Sequence, residues 1–222
     1  MSAAQHYSRP AHGVWKFLYK VGNFLERVPG LKQVVRSPTV LRVRNRVLVN
    51  FVNGLEDRRY WNKTEMPALL GAGFRRILFV GCEPYTAWVP RAFEERGVEC
   101  WTTDILPANA GWGNPDRHIV ADIAAIEAHP LPEHFDAVLF NGVMGYGVTG
   151  EMMTVIAPVL ARLLPPNGFL LIGWNQGLVE DPLTLSAVTH LFNHQPWQGL
   201  PARKTFERST HVFDHFIKRN GS

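Results

Sequence analysis

Five short apolar runs recur between residues 75 and 175, each closed by a glycine, an acid or an asparagine. They are "RRILFVG" (75–81), "VECWTTD" (98–104), "HIVAD" (118–122), "FDAVLFNG" (135–142) and "GFLLIGWN" (168–175). Runs this short and this continuously apolar fit strands buried on both faces, and helical stretches separate several of them. "AWVPRAFEERG" reads as a helix ending at Gly97, and "GEMMTVIAPVLARLLPP" as a second helix in which Pro158 is expected to introduce a kink. "STHVFDHFIKR" (209–219) alternates enough to read as a last strand. Strands alternating with helices specify a doubly wound α/β domain with a mostly parallel sheet. Ligands of such sheets sit at the carboxyl ends of the strands, near the point where the strand order reverses.

The chain divides near residue 60. Val14, Phe17, Leu18, Val21, Phe24, Leu25 and Val28 recur at helical spacing, and a second apolar-periodic stretch runs from Val40 to Leu55. The expected organisation is a basic amphipathic helical extension over 1–60 and the α/β domain over 61–222. Charge supports that division. Residues 1–50 hold nine Lys and Arg against the single acid Glu26, a net of +8, whereas the whole 222-residue chain carries only +4. The basic character therefore belongs to the extension, which argues against a nucleic-acid signature for the domain. Two uses suit the extension: a cap packed on the domain, or a surface for an anionic partner such as a membrane leaflet.

No apolar run approaches the roughly 18–20 residues that span a bilayer. "MSAAQHYSRPAHG" lacks the apolar core of a secretory signal. Cys82 and Cys100 fall inside or next to strands and read as reduced thiols. The expected location is the cytoplasm, with residues 1–50 available for peripheral contact at the inner membrane face.

The strand ends bring together Gly81-Cys82-Glu83, Asp104-Ile105, Asp122-Ile123, Asn141-Gly142 and Trp174-Asn175. Asp104 follows Gly81 by 23 residues, about the spacing at which an acid meets ribose hydroxyls in nucleotide-binding folds. Asp122, one strand on, is placed to accept from an adenine amine while Ile123 packs on the ring. Either Asp alone also fits a helix N-cap or a turn. Their joint occurrence at successive strand ends favours a nucleoside site.

Glu83 decides which nucleoside. A dinucleotide needs the first turn to offer backbone N–H groups to a pyrophosphate, and a glutamate there sets charge against like charge. S-Adenosylmethionine reverses the sign, because its sulfonium and α-ammonium are positive. Glu83 then becomes an ammonium acceptor, with Tyr85 and Thr86 completing the turn and the Tyr85 ring tolerating the cation.

In order and spacing, "ILFVGCEPYT", "ECWTTDI", "HIVADI", "FDAVLFNGVMGYG" and "LLPPNGFLLIGWN" resemble the motifs of the class I S-adenosylmethionine-dependent methyltransferases. The whole block looks like that of a bacterial methyltransferase-like subgroup with ties to glycan or lipid modification. The resemblance implies a seven-stranded Rossmann-like sheet whose last strand, "THVFDHFIK", runs antiparallel, and methyl transfer from the sulfonium to a nucleophile. The first motif departs from the family pattern. Phe79 stands where the family has an acid, Glu83 and Tyr85 stand at its second and third glycines, and Gly81 alone remains.

The acceptor side is less marked. Nucleobase-amine methyltransferases follow the fourth strand with Asn/Asp-Pro-Pro-aromatic; here "NGVMGYG" keeps Asn141 and lacks the prolines, which disfavours nucleic acid. Trp112, Met144, Tyr146, Trp174 and Asn175 are the candidate acceptor-pocket residues, an aromatic set suited to apolar, aromatic or sugar-like molecules. Tyr146 and His190 are the candidate general bases. His190 and His194, four apart, fit one helical face, but no third ligand accompanies them and no metal is expected. The reading is O-methylation of a small molecule or a glycan- or lipid-linked acceptor. Its rival is an inactive scaffold of the same fold.

Overall fold

The computed structural model describes residues 49–50 and 52–221, so most of the expected helical extension lies outside the described residues. Five parallel strands form where the sequence places its apolar runs: β1 (Arg76–Val80), β2 (Glu99–Asp104), β3 (His118–Val120), β4 (Ala137–Asn141) and β5 (Phe169–Asn175). Three further strands follow, β6 (Phe192–His194), β7 (Arg203–Lys204) and β8 (His211–Lys218). The order across the sheet is β3-β2-β1-β4-β5-β8-β6, with β7 also paired to β8. As expected, β8 runs antiparallel to β5, from Phe169↔Ile217 to Asn175↔His211. Among the described residues the sheet holds eight strands, one more than the expected seven, the addition being the two-residue β7.

Side chains of one strand serve two cores, as the two-residue period requires. Leu78, Val80, Val138, Phe140, Leu170 and Ile172 face α4 (Met153–Leu163), which continues through Pro158. Ile77, Phe79, Leu139 and Leu171 face the other way, toward Val89 and Phe93 of α3 (Val89–Glu94) and a helical run that precedes β1. That run consists of α1 (Glu56–Tyr60), a π-helical turn (Trp61–Glu65) and α2 (Met66–Gly71). It crosses the expected boundary at residue 60 without a break. Trp61 is 2% exposed and stacks on Phe213 of β8 at 5.6 Å, so the run is part of the domain's own core layer.

The parallel order reverses between β1 and β4, whose register matches Val80 with Phe140. Their carboxyl ends, together with those of β2 and β3, open onto the space where a ligand of this topology sits.

One expectation fails near the far edge of the sheet. His190 and His194 do not share a helix: α5 (Ser186–Thr189) ends at His190, and His194 lies in β6. The pairing of Phe192–His194 with β8, and burial of Phe192 against Phe216 at 6.4 Å, override the helical spacing of the two histidines.

Candidate functional site

The first turn is built without the usual glycines. Gly81 has φ +87°, a conformation that L side chains rarely adopt, and a Cβ there would stand 2.7 Å from Val143 Cγ1. Its N–H donates to Thr103 O at 2.9 Å. Beyond it, Thr86 closes the loop: its hydroxyl accepts from the Glu83 N–H at 3.0 Å and donates to the Glu83 carbonyl at 3.0 Å. A threonine side chain bonded to the backbone replaces the turn that glycine freedom would otherwise provide.

Asp104 fastens this turn to the second strand. Oδ2 accepts from the Cys82 N–H at 2.8 Å and from Asn109 Nδ2 at 3.2 Å, and Oδ1 accepts from the Leu106 N–H at 2.8 Å. Three donors on one carboxylate hold it in a single orientation, and Oδ1 keeps a lone pair for a further donor. Asp122 caps the short 3₁₀ helix Ile123–Ala128 through Oδ1, which accepts from the Ala124 N–H at 2.9 Å. Ile123 is buried, whereas Ile105 is 62% exposed at the end of β2.

Fourth-strand geometry is tighter still. Asn141 is 6% exposed, its Oδ1 lies 3.2 Å from His211 Nε2, and its Nδ2 has no hydrogen-bond partner among the described residues. Gly173, its register partner on β5, leaves the room: a Cβ there would collide with Asn141 Oδ1. Gly142 follows with φ +78° and donates its N–H to Gly173 O at 2.9 Å.

These turns enclose one cavity of about 200 Å³. All eleven residues expected at a nucleoside site line it: Gly81, Cys82, Glu83, Tyr85, Thr86, Asp104, Ile105, Asp122, Ile123, Asn141 and Gly142. Tyr146 lines it as well. Burial first, and then the Asp104 charge, raise the Glu83 carboxyl above the usual carboxylate range, against the pull of Arg58. The same two causes, in the same order, push the Cys82 thiol up to about 12, so it stays protonated at neutral pH and is no nucleophile.

Arg58, from α1, is a charged wall residue that the sequence reading did not include. It is 6% exposed, its guanidinium lies 4.8 Å over the Tyr85 ring, and its Nε is 3.4 Å from Asp57 Oδ2. A signal existed: Arg58, Trp61, Glu65 and Leu69 recur at helical spacing, and all four are buried. The division of the chain at residue 60 left Arg58 outside the α/β domain and so hid it. The cavity wall thus presents three carboxylates (Glu83, Asp104 and Asp122) and one guanidinium.

Five expected residues lie away from the cavity. Trp174 is 3% exposed in β5 and donates its indole N–H to Asp214 Oδ2 at 2.7 Å. Asp214 also accepts from Arg203 at 2.7 and 2.9 Å and pairs with His194 at 3.0 Å. Arg203 in turn donates to both oxygens of Asp181, each at 2.6 Å. Trp174 is therefore part of a buried ion-pair network that ties β5, β7 and β8 together. Asn175 is 5% exposed, with its Oδ1 accepting from Thr210 Oγ1 at 3.3 Å. Met144 is fully buried in the core beneath α4, Trp112 packs against the opposite core, and His190 caps α5. An aromatic or amide side chain next to a strand end does not reveal which face it takes, and these took the faces without the cavity.

No family model matches this sequence, and no curated protein matches it. Solved structures do. NodS, an N-methyltransferase from Bradyrhizobium japonicum WM9 in complex with S-adenosylhomocysteine, superposes with a TM-score of 0.57 at 15% identity, covering 76% of this chain and 91% of that one. A TehB-like methyltransferase from Corynebacterium glutamicum gives 0.52 at 18% identity, covering 70% and 87%. The 1,6-didemethyltoxoflavin-N1-methyltransferase of Burkholderia thailandensis gives 0.50 at 16%, covering 83% and 91%. The chain has the class I methyltransferase fold.

Proposed function

We propose that the chain is an S-adenosylmethionine-dependent methyltransferase. The observation that carries the reading is the convergence of four strand-end turns on one cavity whose wall is complementary to a nucleoside joined to an amino acid. Asp104, held by three donors, is set to accept from ribose hydroxyls, and Asp122 with Ile123 to meet the base. Glu83 and Arg58 answer the two charges of the amino-acid end: the carboxylate takes the α-ammonium and the guanidinium the α-carboxylate. The glycine-poor first turn is compatible with this, because Thr86 closes it and Gly81 keeps the one position that needs a positive φ.

Bound S-adenosylmethionine supplies an electrophilic methyl group on sulfur. What the chain contributes is placement, which alone accounts for on the order of 7–11 kcal/mol of a transfer barrier. Asn141, Gly142 and Tyr146 line the same cavity, and Tyr146 is the acceptor-pocket residue among them that an acceptor meets. O-Methylation of a small-molecule, glycan-linked or lipid-linked acceptor is the proposed reaction. Residues 1–50, net +8, are proposed to rest on an anionic membrane surface, which liposome co-sedimentation with and without them tests.

Calorimetric titration with S-adenosylmethionine, S-adenosylhomocysteine and, as control, NAD tests the cofactor. Micromolar binding of the first two, weakened at least tenfold in Asp104→Ala and absent for NAD, supports the enzyme. A folded protein that binds none of them is a scaffold built on the same fold.

A further inference from the structure

Asn141 Nδ2 is a buried amide nitrogen at the cavity wall with no hydrogen-bond partner among the described residues. Such a group is costly to leave unpaired, and its persistence at a concave site points to a ligand atom that pairs with it. Which atom depends on how the amide is turned. Asn141 Oδ1 faces His211 Nε2 at 3.2 Å. An amide oxygen only accepts, so in this pair the proton of a neutral imidazole belongs on Nε2, where it is donated to Oδ1. Burial first, and then Arg58, hold His211 neutral by lowering its pKa well below the ordinary histidine value. The asparagine oxygen is thereby occupied, and only the N–H donors remain for a ligand. Gly173 keeps this arrangement possible, since any side chain there would displace Oδ1.

We propose that Asn141, oriented by His211 as its positioning residue, donates a hydrogen bond to the methyl acceptor, and that the acceptor is an anionic oxygen, a carboxylate or an ionised phenol or enol, and not an amine. The inference rests on the methyltransferase reading. An amine ready to attack has hydrogens to donate and its lone pair aimed at the methyl carbon, so it leaves an N–H donor unsatisfied. An oxyanion has lone pairs for both partners. Transfer to it also balances without a general base. The C–S bond breaks with its electron pair left on sulfur, an oxygen lone pair forms the O–CH3 bond, and sulfonium and oxyanion both become neutral. No proton moves, in keeping with a His211 that is buried, uncharged and already engaged with Asn141.

Nuclear magnetic resonance on the full chain, saturated with S-adenosylhomocysteine, tests this with benzoate and benzylamine as probes. Histidine 15N shifts report the tautomer: protonation on Nε2 is expected, and protonation on Nδ1 overturns the proposal because the amide then presents its oxygen. The Asn141 side-chain amide signals should move downfield with benzoate and stay still with benzylamine. The reverse pattern, or no movement with either, contradicts it. His211→Phe should weaken the benzoate response at least tenfold, and His211→Gln, whose amide N–H can still donate to Oδ1, should restore it. Shifts of the Gly81 and Cys82 amides on adding S-adenosylhomocysteine report the cofactor separately. If these stay still, the methyltransferase reading fails, whatever the tautomer.

Discussion

The Asp104 carboxylate accepts the Cys82 N–H at 2.8 Å and so joins the end of β2 to the turn after β1. One side chain thereby shapes the wall of the cavity and remains open to a ligand at Oδ1. Asp104→Ala removes both functions and should weaken S-adenosylhomocysteine binding by about 1.5–3 kcal/mol, roughly ten- to a hundredfold. Asp104→Asn keeps an acceptor but loses the charge, and should fall between. Titration calorimetry on the three proteins gives the order.

Arg58 and Arg59 are adjacent in sequence and opposite in role. Arg58 is buried at the cavity, whereas Arg59 is exposed. Arg58→Leu should cost at least tenfold in affinity for the carboxylate-bearing cofactor, and less for 5′-methylthioadenosine, which has no amino-acid end. Arg59→Leu should leave both unchanged.

Gly81 carries two separable constraints. Its φ of +87° costs any L residue roughly 1–2 kcal/mol, and Val143 Cγ1 blocks a Cβ at 2.7 Å. Gly81→Ala should therefore destabilise the chain and weaken cofactor binding. Adding Val143→Ala should recover only the steric share, measured by urea unfolding.

Trp174 is a structural residue in this architecture. Trp174→Phe removes the indole N–H from buried Asp214 and should lower stability by about 1–3 kcal/mol. Cofactor affinity should not change. Asp214→Ala is harsher, because it leaves Arg203 without its buried partner, and about 3–5 kcal/mol is expected.

Acid should erode stability in two stages. His211, and His118 to a lesser degree, have pKa values lowered first by burial, so they must take up protons on unfolding. Their contribution is complete above the unfolded value of about 6.5 and is lost as pH falls below it. Asp181 is lowered first by its hydrogen bonds from Arg203, and its contribution is lost only as pH falls below about 3.9. Unfolding free energies measured from pH 8 to 3 should show the first loss reduced in His211→Gln, and the second reduced in Asp181→Asn.

Much of this was legible in the sequence because the parallel core is buried on both faces. Val80, Phe140 and Ile172 need no partner to identify them as strand residues, and the boundaries of β1, β2, β4 and β5 fall within a residue or two of the apolar runs. The eleven residues gathered at the cavity were legible for a related reason: in a doubly wound sheet the strand ends converge by topology alone. What was hidden depends on contacts distant in sequence. Trp174 was drawn into the ion pair of Arg203 and Asp214, and His194 into a strand paired with Phe216. His211, 70 residues from Asn141, meets it only because β8 returns antiparallel beside β5. Arg58 was hidden by the division drawn at residue 60, since an amphipathic pattern cannot say that the helix turns this side chain toward the cavity of the neighbouring domain.

A crystal structure with S-adenosylhomocysteine tests the central claim most directly. The account predicts ribose hydroxyls on Asp104, the α-carboxylate on Arg58 and the α-ammonium on Glu83. A ligand bound elsewhere, or bound here with its amino-acid end turned away from Arg58 and Glu83, would contradict it.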